Sequence, residues 1–220
     1  MTKNNKPIFF PNIDNIEWKI WYKKMPQIEI KNNMYYFKTI RDFNHKTNEV
    51  SYFNQEFDIN YLDSIILHSI PFWFKNIFAH MILEFKFKDR QTIFLSVEAR
   101  RQPNEWFSII KWLFKHYGLI YLWWTEDDLI GLRRDIRKKD VFSYKLNLSK
   151  EQREVGFKHF VEETNKLYTV PQYYHSIMNN CTTTLWDALK IHSKKDIRMS
   201  YKVIFSAYVH EYLRELWYIN

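Results

Sequence analysis

Phe78-Ala79-His80-Met81-Ile82-Leu83-Glu84-Phe85-Lys86-Phe87 leads through Lys88-Asp89-Arg90-Gln91 to Thr92-Ile93-Phe94-Leu95-Ser96-Val97-Glu98-Ala99-Arg100. Apolar residues alternate in both stretches, which predicts two strands joined by a turn over Lys88 to Gln91. Met81, Leu83, Phe85 and Phe87 share one face of the first, and Ile93, Leu95 and Val97 share one face of the second. Burying both sets on the same side requires odd-numbered residues to pair with odd-numbered ones. A slip by one position would reverse every side chain. His80 must then share the opposite face with Ser96, Glu98 and Arg100. A turn of three or five residues meets the condition and sets His80 opposite Glu98 or Arg100.

A histidine beside a carboxylate, with an arginine alongside, is the usual pairing of a base with its orienting group. The carboxylate raises imidazole basicity and fixes the tautomer. The plainer alternative is a surface Glu98–Arg100 ion pair worth ~0–1 kcal/mol, with His80 a bystander. A base calls for a nucleophile, and the chain has a single cysteine, Cys181. It lies in Asn179-Asn180-Cys181-Thr182-Thr183-Thr184, at the expected start of a helix that continues through Leu185, Trp186, Ala188, Leu189 and Ile191. A helix's first turn presents unpaired N–H groups and the positive end of the dipole, and both stabilise a thiolate. A lone thiol in that position is more often an inert core residue, so the case depends on a base within reach. The Cys181 N–H and the Asn180 side chain are the candidate oxyanion donors. Otherwise Thr182 and Thr183 simply satisfy the helix start.

Outward from the hairpin, Tyr35 to Phe43 reads as strand. Asn104 to Tyr117 carries the clearest helical spacing, with Gly118 as its stop. Strand-like segments follow at Leu119–Trp124, Leu129–Arg133 and Val141–Leu146, with Asp127 and Asp128 expected in turn or cap contacts. Ser149-x-x-Gln152 resembles a capping box opening a helix to about Leu167. Pro171 opens the loop leading to Cys181, and a last helix is expected over Val203 to Trp217. Residues 1–34 read as an irregular lead-in and residues 35–220 as a single domain. The class is α+β, an antiparallel sheet with the cysteine helix packed against it.

With 220 residues, the chain can bury a sizeable core. One cysteine allows no internal disulfide and no paired-cysteine zinc pattern. The eight histidines show no ligand-like grouping, so neither metal nor cofactor is expected. A net charge of +8 raises the question of nucleic acid, but basic and acidic residues interleave throughout and no nucleic-acid partner is expected. The densest run, Arg133-Arg134-Asp135-Ile136-Arg137-Lys138-Lys139, contains an acid and reads as a solvated edge. Only three glycines are present, which argues against a phosphate-cradling loop. The basic N-terminus lacks a following apolar region, so it is not a secretory signal as written. The apolar stretches Ser64 to Phe74 and Leu119 to Trp124 are too short to cross a bilayer.

Ala79-His80, Leu95-Ser96-Val97-Glu98-Ala99-Arg100, Asp128-Leu129-Ile130-Gly131-Leu132-Arg133, Pro171-Gln172-Tyr173-Tyr174 and Asn180-Cys181-Thr182-Thr183 occur in that order. Together they resemble the Lnb N-terminal periplasmic domain family from about Tyr35 to Lys190, and Phe205 to Trp217 is weakly similar to the family's closing segment. The resemblance implies a circularly permuted papain-like (NlpC/P60-related) fold, in which the histidine strand precedes the cysteine helix. It also implies Cys181 as nucleophile and His80 as base, with Glu98 and Arg100 supporting. The best-understood relatives are bacterial lipoprotein transacylases, which move an acyl chain from a lipoprotein's diacylglyceryl group to its terminal amine. Those relatives are exported and carry membrane-spanning helices after the domain, and this sequence shows neither. The family thus points outside the cytoplasm, while the chain itself shows no signal peptide.

The expected function is a cysteine-dependent acyl transferase or hydrolase acting through a thioester on an ester or amide. Its substrate would be an acyl-bearing lipid, lipoprotein or peptide, with peripheral contact to an anionic membrane surface. The alternative is a non-catalytic binding module on the same scaffold, with Trp18, Trp21 and Trp124 as exposed contacts.

Overall fold

The computed structural model describes residues 16–72, 77–105, 117–175, 180–193 and 197–220. The helix expected over Asn104 to Tyr117 falls mostly on residues 106–116, outside the described residues, as do His116, Asn179 and residues 1–15. Among those described, the strands are β1 (Gln27–Lys31), β2 (Met34–Arg41), β3 (Tyr52–Asp58), β4 (Leu62–Phe72), β5 (Phe78–Phe87), β6 (Thr92–Arg100), β7 (Gly118–Trp124) and β8 (Phe142–Lys145). They form one eight-stranded sheet in the order β1-β2-β7-β6-β5-β4-β8, with β3 joined to β2. All pairings are antiparallel except the contact of β2 with β7, made at Arg41 and Trp124. With its helices, the sheet makes a mixed α/β architecture.

The β5–β6 hairpin has the bounds its alternation predicts. Its loop is short: Phe87 N–H donates to Gln91 O at 2.9 Å and Arg90 N–H to Phe87 O at 3.1 Å. Arg90 sits at φ 69°, the left-handed conformation that a three-residue loop demands of its last position. Leu83 therefore faces Leu95, and Phe85 faces Ile93. The same register carried one step beyond Ile82 and Ser96 brings His80 beside Glu98.

One face of the sheet packs on α1 (Lys150–Thr169) and α2 (Cys181–His192). Phe37, Phe85, Phe87 and Trp123 surround Phe157 of α1, with edge-on contacts at 5.2 Å from Phe85 and 6.0 Å from Trp123. Ser149 and Gln152 cap α1 reciprocally, as the sequence predicts. The other face carries Ile82, Phe94, Ile120, Leu122 and Trp124, covered by Leu129, Ile130 and Tyr22. Among the described residues, no helix is long and apolar enough to cross a membrane.

Several expectations are corrected. The lead-in is not irregular throughout, because β1 inside it pairs along its length with β2. Leu129–Arg133 is not a strand but part of a π-helix over Asp127–Ile136. Its acids lie in the first turn and its arginines in the last, a charge order suited to the helix dipole. The expected last helix is broken into Tyr201–Ile204, a 3-10 turn over Ser206–Tyr208, and Val209–Glu215. It breaks where Ser206 turns to β5, its hydroxyl accepting from Ala79 N–H at 2.7 Å and donating to Ala79 O at 2.8 Å.

Candidate active site

The start of β5, the end of β6 and the start of α2 meet at one end of the sheet. Asn180 caps α2, its Oδ1 accepting from Thr182 N–H at 2.8 Å and Thr183 N–H at 3.0 Å. Thr183 Oγ1 accepts in return from Asn180 N–H at 2.9 Å. The cap takes the amides of Thr182 and Thr183 and not that of Cys181. Ser206 fixes the neighbour of His80, so both sides of the pair are held by elements packed for other reasons.

Cys181 and His80 both line the cleft, close enough that each shifts the titration of the other. Nε2 of His80 lies 2.7 Å from Ser96 Oγ and 3.1 Å from Glu98 Oε1. Ser96 donates its only hydroxyl proton to Glu98 Oε1 at 2.7 Å, so it accepts from His80 Nε2–H. That tautomer leaves Nδ1 as the ring nitrogen free to take a proton. Arg133 closes the chain, with Nη2 donating to Glu98 Oε1 at 3.2 Å and Nη1 to Leu129 O at 2.9 Å.

Burial alone would strip the charge from His80. The Glu98 carboxylate and the hydrogen bonds to Cys181 and Glu98 outweigh it and raise the imidazole pKa to about 9. Burial would likewise raise the thiol pKa. The bond and charge of His80, the Met81 N–H and the Thr182 hydroxyl reverse this and lower it. Glu98 is held well below the usual carboxylate range, because His80, Arg133 and Ser96 overcome its desolvation. The three groups thus favour a thiolate–imidazolium pair backed by a carboxylate. The side chains of His80 and Glu98 each keep 17 % exposure, at the floor of a cleft of about 310 Å³. Among the described residues, no three His, Cys, Asp or Glu side chains group as a metal site.

A family model for the Lnb N-terminal periplasmic domain matches residues 49–211. The chain belongs to that family. No curated protein and no solved structure matches it.

In this Lnb-type domain the structure brings together Cys181, His80, Ser96, Glu98 and Asn180, all at the cleft or directly behind it. Arg100 is the exception. It turns away to donate to Tyr22 O at 2.9 Å and Lys23 O at 3.0 Å, and it lies over the Trp18 ring. Arg133 stands where Arg100 was expected, so its run is not a solvated edge at this position. Sequence periodicity gave no hint of this, although Arg133 closes the Asp128-to-Arg133 motif. Asp128 is no surface cap either. Fully buried, it accepts from Arg41 Nε at 2.7 Å and Nη2 at 2.8 Å, from Phe43 N–H at 2.9 Å, and bonds His45 Nε2 at 2.6 Å. The aromatic contacts foreseen for a binding module are packed instead: Trp124 is buried under the Arg41 guanidinium at 3.6 Å, and Trp21 lies against His45 at 5.1 Å.

Proposed function

We propose that the protein is a cysteine-dependent acyl transferase or hydrolase that works through a thioester on Cys181. The observation that carries this reading is the meeting of Cys181 and His80 at one open cleft, with His80 bonded through Ser96 to Glu98 and Arg133. A buried ion-paired thiol has no packing advantage over a small apolar residue, whereas a lowered thiol pKa is what nucleophilic attack requires. The order of parts, with the histidine strand before the cysteine helix, is consistent with a circularly permuted papain-like arrangement.

In the first half-reaction the Cys181 sulfur forms a bond to the acyl carbon of an ester or amide. The Cys181 N–H, which the Asn180 cap does not take, is the backbone donor assigned to the developing oxyanion. The bond to the leaving oxygen or nitrogen then breaks, and His80 gives its proton to that atom. In the second half-reaction an amine or water attacks the thioester, its proton passes to His80, and the thiolate leaves. The acyl-bearing substrate is a lipid, lipoprotein or peptide.

The test is alkylation of the intact chain by iodoacetamide across pH. Cys181 is expected to react at about pH 6 to 7 as fast as an ordinary thiol reacts near its pKa of about 8.5. His80→Ala should abolish that advantage. Labelling that follows an ordinary thiol, or that ignores His80→Ala, rejects the reading.

A further inference from the structure

The cleft is lined by two kinds of chemistry: basic residues Arg101, Arg133, Arg137 and Lys139, and apolar residues Ile70, Phe72, Phe78 and Ile204. Among the described lining residues Glu98 is the only carboxylate, and it is already engaged by His80, Ser96 and Arg133.

The π-helix and the turn after it sort the basic run. Arg134 and Asp135 pair with each other on the outside at 2.9 Å, each half exposed. Arg137 N–H donates to Leu132 O at 3.0 Å and Lys139 N–H to Arg133 O at 2.9 Å, and these bonds bring Arg137 and Lys139 to the cleft. Neither makes an ion pair among the described residues, and Arg137 repels Arg133. Arg101 donates to the Tyr22 hydroxyl at 3.0 Å and also lines the cleft. Arg137 and Lys139, unpaired among the described residues, add positive charge beside Arg133 at a cost that a bound anion relieves. Two guanidinium forks and an ammonium suit the several acceptor oxygens of a phosphate.

The apolar lining runs out of the cleft. Phe78 packs on Phe205 at 5.9 Å, and Ile204, Phe205, Tyr201 and Tyr208 are all exposed beside it. Contiguous exposed apolar surface of this kind marks a place where something else binds. A volume of about 310 Å³ is at the small end for a ligand site, enough for a head group and an ester but not for a long chain as well.

We propose that the cleft takes an acyl ester of an anionic, phosphate-bearing lipid. The phosphate lies on Arg101, Arg137 and Lys139, the ester carbonyl over Cys181, and the acyl chain along Phe72, Phe78 and Ile204 towards Phe205. This deepens the thioester reading and rests on it. The acyl carbon gains a bond to sulfur, the ester C–O bond breaks, and the His80 proton goes to the departing glycerol oxygen, giving a lysolipid and the acyl-enzyme.

Binding tests the subsite without turnover. The Cys181→Ala chain is titrated calorimetrically with monomeric dihexanoyl phosphatidylglycerol, with dihexanoylglycerol, and with inorganic phosphate. The phospholipid is expected to bind at least about ten-fold tighter than either, with an affinity that falls as salt rises. The double variant Arg137→Glu/Lys139→Glu, both at exposed positions, should lose about ten-fold or more of that affinity. The wild-type chain should also release hexanoate from the phospholipid faster than from dihexanoylglycerol, and the double variant should bring that ratio towards one. Equal binding of charged and neutral lipid, or undiminished binding in the double variant, overturns the phosphate subsite. Inorganic phosphate binding as tightly as the lipid overturns the apolar wall. A Cys181 adduct from nitrophenyl hexanoate, with no preference among the lipids, rejects the subsite and leaves the thioester reading standing. Selective lipid binding with no adduct from any ester rejects the acyl step instead.

Discussion

His80 is where desolvation and charge oppose each other most directly, and its balance with Glu98 sets the chemistry of Cys181. Glu98→Gln removes the largest influence holding the imidazole pKa at about 9, so burial prevails and the value falls. The thiol then loses its cationic partner, and labelling of Cys181 near neutral pH should drop towards that of an unassisted thiol. A variant that keeps its labelling would show that Glu98 only positions the ring. Stability gives a second readout, and counting protons fixes its sign. Unfolded, the two groups titrate at their ordinary values of 6.5 and 9.0, so the chain holds one proton on the pair between them. Folded, with the thiol lowered and the imidazole raised to about 9, the pair also holds one proton. Between the lowered thiol value and 9 the pair therefore makes stability flat within the pH 6.5 to 9 window, because the two states there bind equal protons. In Cys181→Ala the imidazole is still raised by Glu98, with no thiol to compensate. Its contribution is then complete below pH 6.5 and lost as pH rises through the folded value. The slope is at most about 1.4 kcal/mol per pH unit, and each kcal/mol moves Tm by about 2–4 °C in a chain of this size. Thermal melts of the two proteins across that window should separate; parallel profiles would mean an uncharged ring.

The hairpin of β5 and β6 was legible because alternation fixes strand faces, and faces fix who can meet across a pair. Alternation set His80 on the face of Glu98 and Arg100, and the three-residue loop decides for Glu98. The Ser149 cap was legible for a similar reason, since it stands where orphan N–H groups need an acceptor, whereas Asn180 was expected as an oxyanion donor and its Oδ1 instead caps α2. What escaped was decided by long-range packing. Leu129-Ile130-Gly131-Leu132 is a short apolar run, and such a run fits a strand or a buried helix equally. Only the sheet face above it, with Ile82, Phe94 and Trp124, makes it a helix that aims Arg133 at Glu98. Arg100 was misplaced because alternation gives a face but not a reach, and the Tyr22 and Lys23 carbonyls lie within its length. Comparing the two caps separates stability from chemistry. Ser149→Ala and Asn180→Ala should each cost about 0.5–2 kcal/mol in urea unfolding. Asn180→Ala alone should also slow alkylation of Cys181, because it loosens the turn that carries the thiol. Equal labelling in both variants would assign Asn180 to stability only.

The sheet is joined from two parts, and the join depends on one buried charge cluster. Among the described residues, strands β1 to β3 pair with the remaining strands through the single parallel bridge at Arg41 and Trp124. Across that seam Arg41 grips Asp128 at 2.7 and 2.8 Å, donates to Trp21 O at 2.9 Å and lies on the Trp124 ring. Its own carbonyl accepts from Thr125 N–H at 3.1 Å. On the far side α1 bridges the same two parts, with Asn165 bonding both the N–H and the carbonyl of Ile28 and with Phe157 against Phe37. Phe157→Ala removes the centre of that aromatic cluster and should cost about 3–5 kcal/mol, a large share of a total of about 5–15 kcal/mol. The charged side obeys a different rule. Removing one member of a buried ion pair strands the other, so Arg41→Met or Asp128→Leu alone should cost about 3–5 kcal/mol. Removing both strands neither charge, and the losses are the single bonds of His45, the Phe43 N–H and the Trp21 carbonyl. The double variant Arg41→Met/Asp128→Leu should therefore be more stable than either single variant, read as its urea midpoint at an unchanged slope. Additive losses, with the double variant the weakest of the three, would mean that the seam depends on the hydrogen bonds of Arg41 to Trp21 and its stacking on Trp124 rather than on charge balance with Asp128.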